Sequence, residues 1–584
     1  MKSNSVLEEK LRQMAVALEL LGENRFRINA LARAARVIDS LDEEVEMLVG
    51  RDPESAVARL TAIPGIGKGL AAKILEFVAS GKIEEHEDLV SRIPAGLFDL
   101  LDVPGLGPKA VKMIWERLGI ETIEELRAGL DSPDFAALPR MGKKSIENIK
   151  KALDFRAQSA GRIPIGKALP IALDFVDFLE KQPGAQRVEY AGSLRRGRET
   201  IGDIDLLVSC ADPLAMRKAF VEHPSVTQVL AAGESKSSVR IAAGGHALQV
   251  DLRIVENRQF GAAWLYFTGS KEHNVALRER AGKRGMRLNE YGLFEDSAKD
   301  AREDTERLVA EAEEFDIYRA LGLEMIPPEL REERWPLEEL PDKLVERSLL
   351  RADLHTHTLA SDGKLSIEAM ARHARSLGFH TLAVTDHSRS SVISNGLSID
   401  RLRTQIEAVR AADSEIDGIR ILAGSEVDIL PDGRLDYPDE ILEDLDIVVA
   451  SPHVSLRQSS EDATKRLLAA ILHPAVKILG HPTGRMISQR EGLSPDMDRL
   501  FEAAADTGTA LEINAHWMRL DLRDRHVARA VAKGCLLAIN SDAHTIEHFD
   551  FLEFGVLTAR RGGLPASSCI NTWPAGKLYE WLSR

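Results

Sequence analysis

Gly202-Asp203-Ile204-Asp205-Leu206-Leu207-Val208 reads as one strand of a half-buried sheet. A period of two puts Asp203 and Asp205 on one face and turns Ile204, Leu206 and Val208 into a core. Two carboxylates so close repel one another unless a cation lies between them. Leu248-Gln249-Val250-Asp251-Leu252-Arg253-Ile254 repeats the alternation and adds Asp251 on the polar face. Three carboxylates on adjacent strands suit a pair of Mg2+ ions, hard cations that favour oxygen ligands and substrate phosphates. Such a pair can activate an attacking hydroxyl and stabilise a departing pyrophosphate.

Just upstream, Ala191-Gly192-Ser193-Leu194-Arg195-Arg196-Gly197 supplies a glycine turn, a hydroxyl and two guanidiniums, a combination suited to a triphosphate. Either motif alone is weak, because Asp-x-Asp decorates many surface strands and a basic glycine turn is ordinary. Side by side they are far more specific. Around them, from about residue 161 to 325, short alternating strands mix with helices in the pattern of an α+β region. Residues 1–160 read as almost all helix, with apolar positions such as Leu7, Leu11, Met14, Ala15 and Leu18 at three- and four-residue spacing.

That helical part contains a repeat. Ile63-Pro64-Gly65-Ile66-Gly67-Lys68 returns as Val103-Pro104-Gly105-Leu106-Gly107-Pro108-Lys109 and, more loosely, as Leu138-Pro139-Arg140-Met141-Gly142-Lys143. Paired glycines between helices expose backbone N–H groups at a helix N-terminus, where the dipole favours an anion. Such a helix-hairpin-helix holds a DNA phosphate without reading bases. Gly65, Gly67, Lys68, Gly105, Gly107 and Lys109 are the candidate DNA contacts. A net charge of −16 does not oppose such a partner, since phosphate contacts need only a local basic face. Residues 271–287 offer one, with Lys271, Arg278, Arg280, Lys283, Arg284 and Arg287 against Glu272 and Glu279. A solvated helix face would look the same.

A charged stretch with Pro327, Pro328, Pro336 and Pro341 reads as a semi-rigid linker. Beyond it apolar runs alternate with amphipathic helical runs, and 12 of the 16 histidines lie past residue 350. Asp353-Leu354-His355-Thr356-His357 puts two imidazoles on one strand face, with Asp362 close behind. Later runs end in His387, Glu426, His453 and His481, and the last ends in Asp542 and His544. Polar residues gathered at the C-terminal ends of successive parallel strands are the geometry of a (β/α) barrel. Nine candidates are too many for one ion, so two or three are expected. Mixed imidazole and carboxylate sets suit Zn2+, Mn2+ or Fe2+. Clustered metals generate hydroxide and clamp a phosphate, which makes phosphoester hydrolysis the natural chemistry.

The remaining bounds are simple. A chain of 584 residues, 44% hydrophobic and 29% charged, divides into several soluble domains. No apolar run approaches the ~18–20 residues of a membrane span, and the polar start reads against a signal peptide. Cys210, Cys535 and Cys569 are too few and scattered for a disulfide framework or a cysteine zinc site, which fits a reducing cytoplasm.

Gly192-Ser193 followed by Asp203-x-Asp205 resembles the nucleotidyltransferase signature. Tyr266-Phe267-Thr268-Gly269-Ser270 and Leu288-Asn289-Glu290-Tyr291 resemble the family X DNA polymerases, in an order that runs from the N-terminal helices to Pro327-Pro328-Glu329. The resemblance implies that Asp203, Asp205 and Asp251 are catalytic aspartates holding Mg2+ or Mn2+. It further implies that Ser193, Arg196 and Gly202 meet the triphosphate and that Tyr266, Phe267 and Gly269 line the sugar pocket. Asn274 would face the base edge and Arg278 the template. In animal relatives the N-terminal domain also removes a sugar phosphate through a lysine Schiff base. Lys73, in Ala71-Ala72-Lys73-Ile74, falls at the corresponding place, but Leu31 stands where those relatives carry a tyrosine, which leaves lyase chemistry open.

From His355 to His544 the chain resembles the polymerase and histidinol phosphatase (PHP) domain, with no gap in its ligand pattern. Joined to a family X polymerase this is the bacterial or archaeal type. For that type the resemblance implies 3′–5′ exonuclease activity, with 3′-phosphatase and abasic-site (AP) endonuclease activities beside it, Mn2+ being favoured. The expected layout is a lyase-like helical domain (1–90), a second hairpin subdomain (91–160), a nucleotidyltransferase palm (161–257), a nucleotide-selection subdomain (258–325), a linker (326–350) and a distorted (β/α)7-type barrel (351–584). The expected partners are gapped or nicked DNA and dNTPs, with no membrane, for a monomer in base excision repair. Three other readings are a DNA-docking scaffold for the phosphoesterase, a non-catalytic end-binding protein, and a small-molecule phosphatase. The intact aspartates oppose the first, two complete ligand sets the second, and the phosphate-binding hairpins the third.

Overall fold

The computed structural model describes all residues except 1–2, 40–44, 51–52, 64, 102, 104–105, 140, 159–160, 234–235, 244–245, 296–306 and 342. It divides into two compact units, Met1–Gln158 and Ser159–Arg584. Among the described residues the first contains helices and turns and no strand. Helices Ser3–Leu21 and Arg25–Asp39 meet along the stripe foreseen from spacing, where Leu7, Leu11, Met14 and Leu18 are buried with Leu31, Ala34 and Ile38.

In the second unit β1 (Ile163–Pro164) and β3 (Thr200–Ile201) form a short antiparallel ribbon. The palm sheet contains β2 (Ala185–Tyr190), β4 (Asp203–Cys210), β5 (Val226–Ala232), β6 (Lys236–Ala243) and β7 (His246–Ile254) in the order β2-β4-β7-β6-β5. β4 and β7 run parallel, and their register sets Asp205 directly beside Asp251. Helix Ile165–Glu180 covers one face of the sheet with Ile165, Ala168, Ala172, Phe175 and Leu179, an i, i+3, i+4 stripe. Each of the larger side chains there contributes about 1.5–3 kcal/mol by leaving water. Strands β8 (Met286–Asn289), β9 (Gly292–Glu295) and β10 (Leu308–Ala310) form a small antiparallel sheet packed with helices Phe260–Thr268, Lys271–Lys283 and Glu314–Ala320.

Residues 326–350 are no free spacer. Ile326 and Leu330 belong to the core of the preceding subdomain, and Val345 and Leu350 to that of the barrel. Pro328 opens a short 3-10 turn that places Arg331, fully buried, 2.7 Å from Glu314. The prolines shape a packed strap: Arg331 pairs with Glu314, Glu329 with Arg560 and Glu332 with Arg561, while Glu333, Glu338 and Glu339 stay exposed.

The barrel strands β11 (Ala352–Thr356), β12 (Thr381–Val384), β13 (Arg420–Asp428), β14 (Ile447–Ser451), β15 (Val476–Leu479), β16 (Ala510–Asn514) and β17 (Leu537–Asn540) are parallel neighbours in chain order. Seven strands close imperfectly. Between β17 and β11 side chains replace part of the backbone ladder: Leu354 N donates to Asn540 Oδ1 at 3.1 Å and Ser541 N to Asp353 Oδ1 at 3.2 Å. Ala352, Leu354, Ala383, Val449 and Ile478 fill the N-terminal end of the interior with Trp573 and Trp581 of the C-terminal segment. The opposite end is left to polar residues.

Candidate active sites

The turn after β2 and the start of β4 face a cavity of about 520 Å³. Its wall combines Ser193, Arg196, Asp203 and Asp205 with Tyr266, Phe267, Gly269, Asn274 and Arg278. Gly192 has φ 63°, and a Cβ on it would lie 2.4 Å from Asp205 Oδ2, so glycine alone lets the turn rest on that carboxylate. Burial pushes the Asp205 carboxyl up to about 6, with Asp203 and Asp251 adding repulsion. Asp251, 4% exposed, receives Lys236 Nζ at 2.7 Å and Gln249 Nε2 at 2.9 Å. The three carboxylates share one polar face and repel, a donor set that fits hard cations.

Of the two adjacent guanidiniums only Arg196, the one that the resemblance assigns to the triphosphate, reaches the cavity. Arg195 lies over Trp264, 3.3 Å from its centroid, and pairs with Glu314 at 2.7 Å. Despite burial, Arg331 and Arg195 hold the Glu314 carboxyl down to about 2. A carboxylate so enclosed needs its cations. Gly202 also stands off the wall, beneath Arg162: a Cβ there would lie 3.0 Å from Arg162 Nη1. Arg162, Arg198 and Ser270 line the cavity instead, unforeseen because nothing in their spacing marks them. The basic stretch divides likewise. Lys271 and Arg278 face the cavity, while Arg280 donates to Leu321 O at 2.7 Å and pairs with Glu338. Asn274 is fixed by its Nδ2 donating to Tyr266 O at 2.7 Å.

The barrel brings together all nine of its expected residues. His357, Asp362, His387 and His544 form one group, His355, His357 and Asp542 a second, and His387, Glu426 and His453 a third, with the ligand atoms of each within 4.8 Å. His481 Nε2 lies 2.7 Å from Glu426 Oε1 and joins the third. Among the described residues only these groups converge so tightly. His355 Nε2, both nitrogens of His357, His387 Nδ1, Glu426 Oε2 and His481 Nδ1 are buried without a hydrogen-bond partner. So many buried lone pairs aimed at one another fit metal ions and little else. His481 (φ 22°) and Asp542 (φ 55°) are held in the left-handed region, strain placed at two of the candidate ligands.

Comparison with known proteins places these features. Residues 2–83 match the family described as a helix-hairpin-helix domain, 97–154 a SAM-like helix-hairpin-helix tandem, 263–332 the DNA polymerase beta thumb and 353–516 the PHP domain. The DNA polymerase/3′-5′ exonuclease PolX of Bacillus subtilis (strain 168) is 38% identical over 576 residues, 98% of each chain. The chain belongs to the family X DNA polymerases that carry a PHP domain. DNA polymerase lambda of Rattus norvegicus is 27% identical over 350 residues, 56% of each chain. A probable phosphatase of Caldanaerobacter subterraneus subsp. tengcongensis is 34% identical over 241 residues, 39% of this chain and 90% of that protein.

In this family X chain a second ring of carboxylates orients the barrel histidines, and sequence reading passed over it. Glu512 Oε1 accepts from His355 Nδ1 at 2.8 Å, and Asp428 Oδ1 pairs with His453 Nδ1. β16 is the one barrel strand that offers no candidate ligand; a glutamate inside its apolar run was the signal.

The helical unit shows the hairpins closed alike. Ile66 N donates to Ile63 O at 3.0 Å, Leu106 N to Val103 O at 2.9 Å and Met141 N to Leu138 O at 3.1 Å, so even the loose third copy turns as the others do. Gly105 lies outside the described residues. Gly65 has φ 99° and needs glycine for its backbone. Gly67 and Gly107 are different: both are extended N-caps, and a Cβ on either would meet nothing within 4 Å. Lys68 and Lys109 are exposed beside them. Lys73 pairs with Glu85, which also holds Arg27.

Proposed function

We propose that this chain is a gap-filling DNA repair polymerase whose barrel processes DNA 3′ ends. The observation that carries the reading is the single cavity on which Asp203, Asp205, Ser193 and Arg196 face Tyr266 and Asn274. Its volume suits a nucleotide rather than a polymer chain. Asp203, Asp205 and Asp251 would hold Mg2+ or Mn2+, which activates a primer 3′-hydroxyl and neutralises the departing pyrophosphate. Ser193 and Arg196 bind the triphosphate; Tyr266, Phe267 and Gly269 bound the sugar. Asn274, anchored through its Nδ2 to Tyr266 O, would meet the base edge. Arg278 and Lys271 meet the DNA strand. Gly67, Gly107 and their lysines hold the sugar-phosphate backbone without reading sequence.

The nine barrel residues would hold two or three Mn2+, Zn2+ or Fe2+ ions, which supply a hydroxide nucleophile and charge neutralisation at a phosphate. Glu512 and Asp428 fix the rings of His355 and His453 toward those ions. The substrate is a DNA phosphodiester at a 3′ end. The likeness of the barrel to a probable phosphatase over 90% of that protein supports hydrolysis of terminal 3′-phosphates as a second activity, and abasic-site cleavage would use the same ions.

Primer extension and degradation on gapped DNA with Mn2+ tests both halves. Asp205→Ala is expected to lose extension and keep 3′ degradation; His355→Ala is expected to lose degradation and keep extension. Undiminished extension by Asp205→Ala would sink the polymerase reading, and undiminished degradation by His355→Ala would sink the hydrolytic one.

A further inference from the structure

Helix Leu552–Arg561 belongs to the barrel, yet one side of it is built into the palm. Toward the barrel, Gly555 lies so close to the ends of β16 and β17 that a Cβ would come within 2.7 Å of Ala515 Cβ and 2.8 Å of Ile539 Cγ2. Toward the palm, Phe554 is part of the palm's apolar core, and Leu557 covers Gly197. The helix therefore spans from a strand leading to Asp542 to the turn that carries Ser193 and Arg196.

Arg561, its last residue, is 5% exposed. Its Nη1 donates to the backbone oxygen of Arg196 at 2.7 Å and to Glu332 Oε1 at 3.0 Å. The same Glu332 oxygen accepts from Arg196 Nε at 3.1 Å. A barrel residue thus holds both the main chain of Arg196 and the carboxylate that steers its guanidinium. Arg196 lines the palm cavity and is fastened on its other edge to Thr268 O.

We propose that Arg561 is a positioning residue for nucleotidyl transfer, holding Arg196 at the geometry in which it meets a dNTP triphosphate. This rests on reading the palm cavity as the nucleotide site. Two effects combine. The hydrogen bond to Arg196 O stops the turn from shifting, and a displacement of that kind weakens the contact that Arg196 makes with the bound triphosphate. Glu332 also divides its charge among three arginines, Arg196 at 3.1 Å, Arg561 at 3.0 Å and Arg198 at 3.6 Å. Without Arg561 that charge is left to Arg196 and Arg198, which draws Arg196 toward Glu332 and lowers the field it presents to the phosphate. No carboxylate loses its last cation on removal of Arg561: Asp524, its other partner, keeps Arg334 at 2.6 Å, and Glu332 keeps Arg196.

The test uses the full chain and single-nucleotide gapped DNA, with KM for dNTP and kcat measured separately and 3′ hydrolysis followed on the same preparations. Arg561→Met is expected to raise KM about tenfold, the scale of one charge-assisted hydrogen bond, with hydrolysis within about twofold of wild type. Arg561→Lys, which keeps a charge on Glu332, is expected to recover part of the KM and to remain informative should Arg561→Met misfold. In an Arg196→Met background, adding Arg561→Met is expected to change KM by less than about twofold, since the intermediary is gone. An unchanged KM in both Arg561 variants, a parallel fall in extension and hydrolysis with a lowered Tm, or full additivity with Arg196→Met would each overturn the proposal. Asp205→Ala in the same assay separates the two levels. Extension by Asp205→Ala refutes the nucleotide site itself, whereas an inactive Asp205→Ala beside a normal Arg561→Met refutes only the positioning role.

Discussion

Arg195 and Arg196 are neighbours of the same type, and the fold gives them opposite tasks: one is sealed against Trp264 and Glu314, the other faces the cavity. The same division separates Glu426, among the histidines, from Glu512, behind them. Glu512 is 0% exposed; besides His355 it accepts from His481 N at 2.7 Å and Asn540 Nδ2 at 2.9 Å. A carboxylate behind a ligating imidazole fixes the ring and raises its basicity, and its loss typically costs 10–100-fold in metal affinity or activity, as an order-of-magnitude guide. Glu512→Gln keeps the shape and removes the charge. We expect 3′ hydrolysis to fall by roughly that factor at limiting Mn2+, to recover partly as Mn2+ is raised, and extension to stay within about twofold. A Mn2+ dependence of hydrolysis identical to wild type would show that Glu512 does not act through the ligands.

At the scale of elements, what could be read beforehand was whatever is local. The alternation of β4 and β7 fixed their polar face, and ligands recurring after apolar runs marked the barrel strands, because a period of two and a strand end are properties of a few consecutive residues. Gly192 and the hairpin glycines were legible for the same reason. Arg162, Glu512 and Asp428 were not, since each acts through a partner far along the chain. The hairpins also permit a clean test. Gly107 is an extended N-cap in open space, so aspartate, a good N-cap residue, is expected to leave helix Pro108–Leu118 intact. Its carboxylate would stand where a DNA phosphate must approach. Gly107→Asp is therefore expected to weaken binding to gapped DNA about tenfold or more, and to make log Kd less steep against log salt, with Tm unchanged or raised. Wild-type affinity and salt slope would remove this hairpin from the DNA contacts.

At the scale of the whole molecule, the sequence divides into more pieces than the structure does. Palm and barrel have distinct periodicities, and the proline-containing stretch between them suggests a spacer; both are local signals. Their union is not local. Ile487, Leu520 and Phe554 of the barrel complete the apolar core of the palm, and Arg485 pairs with Glu199 at 2.7 Å across the same junction. Such a contact depends on which loops meet, and no periodicity announces it. A core built from both parts cannot be exposed by unfolding only one of them, so Ser159–Arg584 should melt as one cooperative body while Met1–Gln158 melts separately. Calorimetry of the full chain is expected to show two transitions. Phe554→Ala, in a helix of the barrel, creates a cavity in the palm core at a cost of about 3–5 kcal/mol and should lower the larger transition without splitting it. Extension and 3′ hydrolysis should then fail together on heating. A third transition, with polymerase activity lost at a temperature where hydrolysis survives, would mean that palm and barrel are separately stable and that the shared core contributes little.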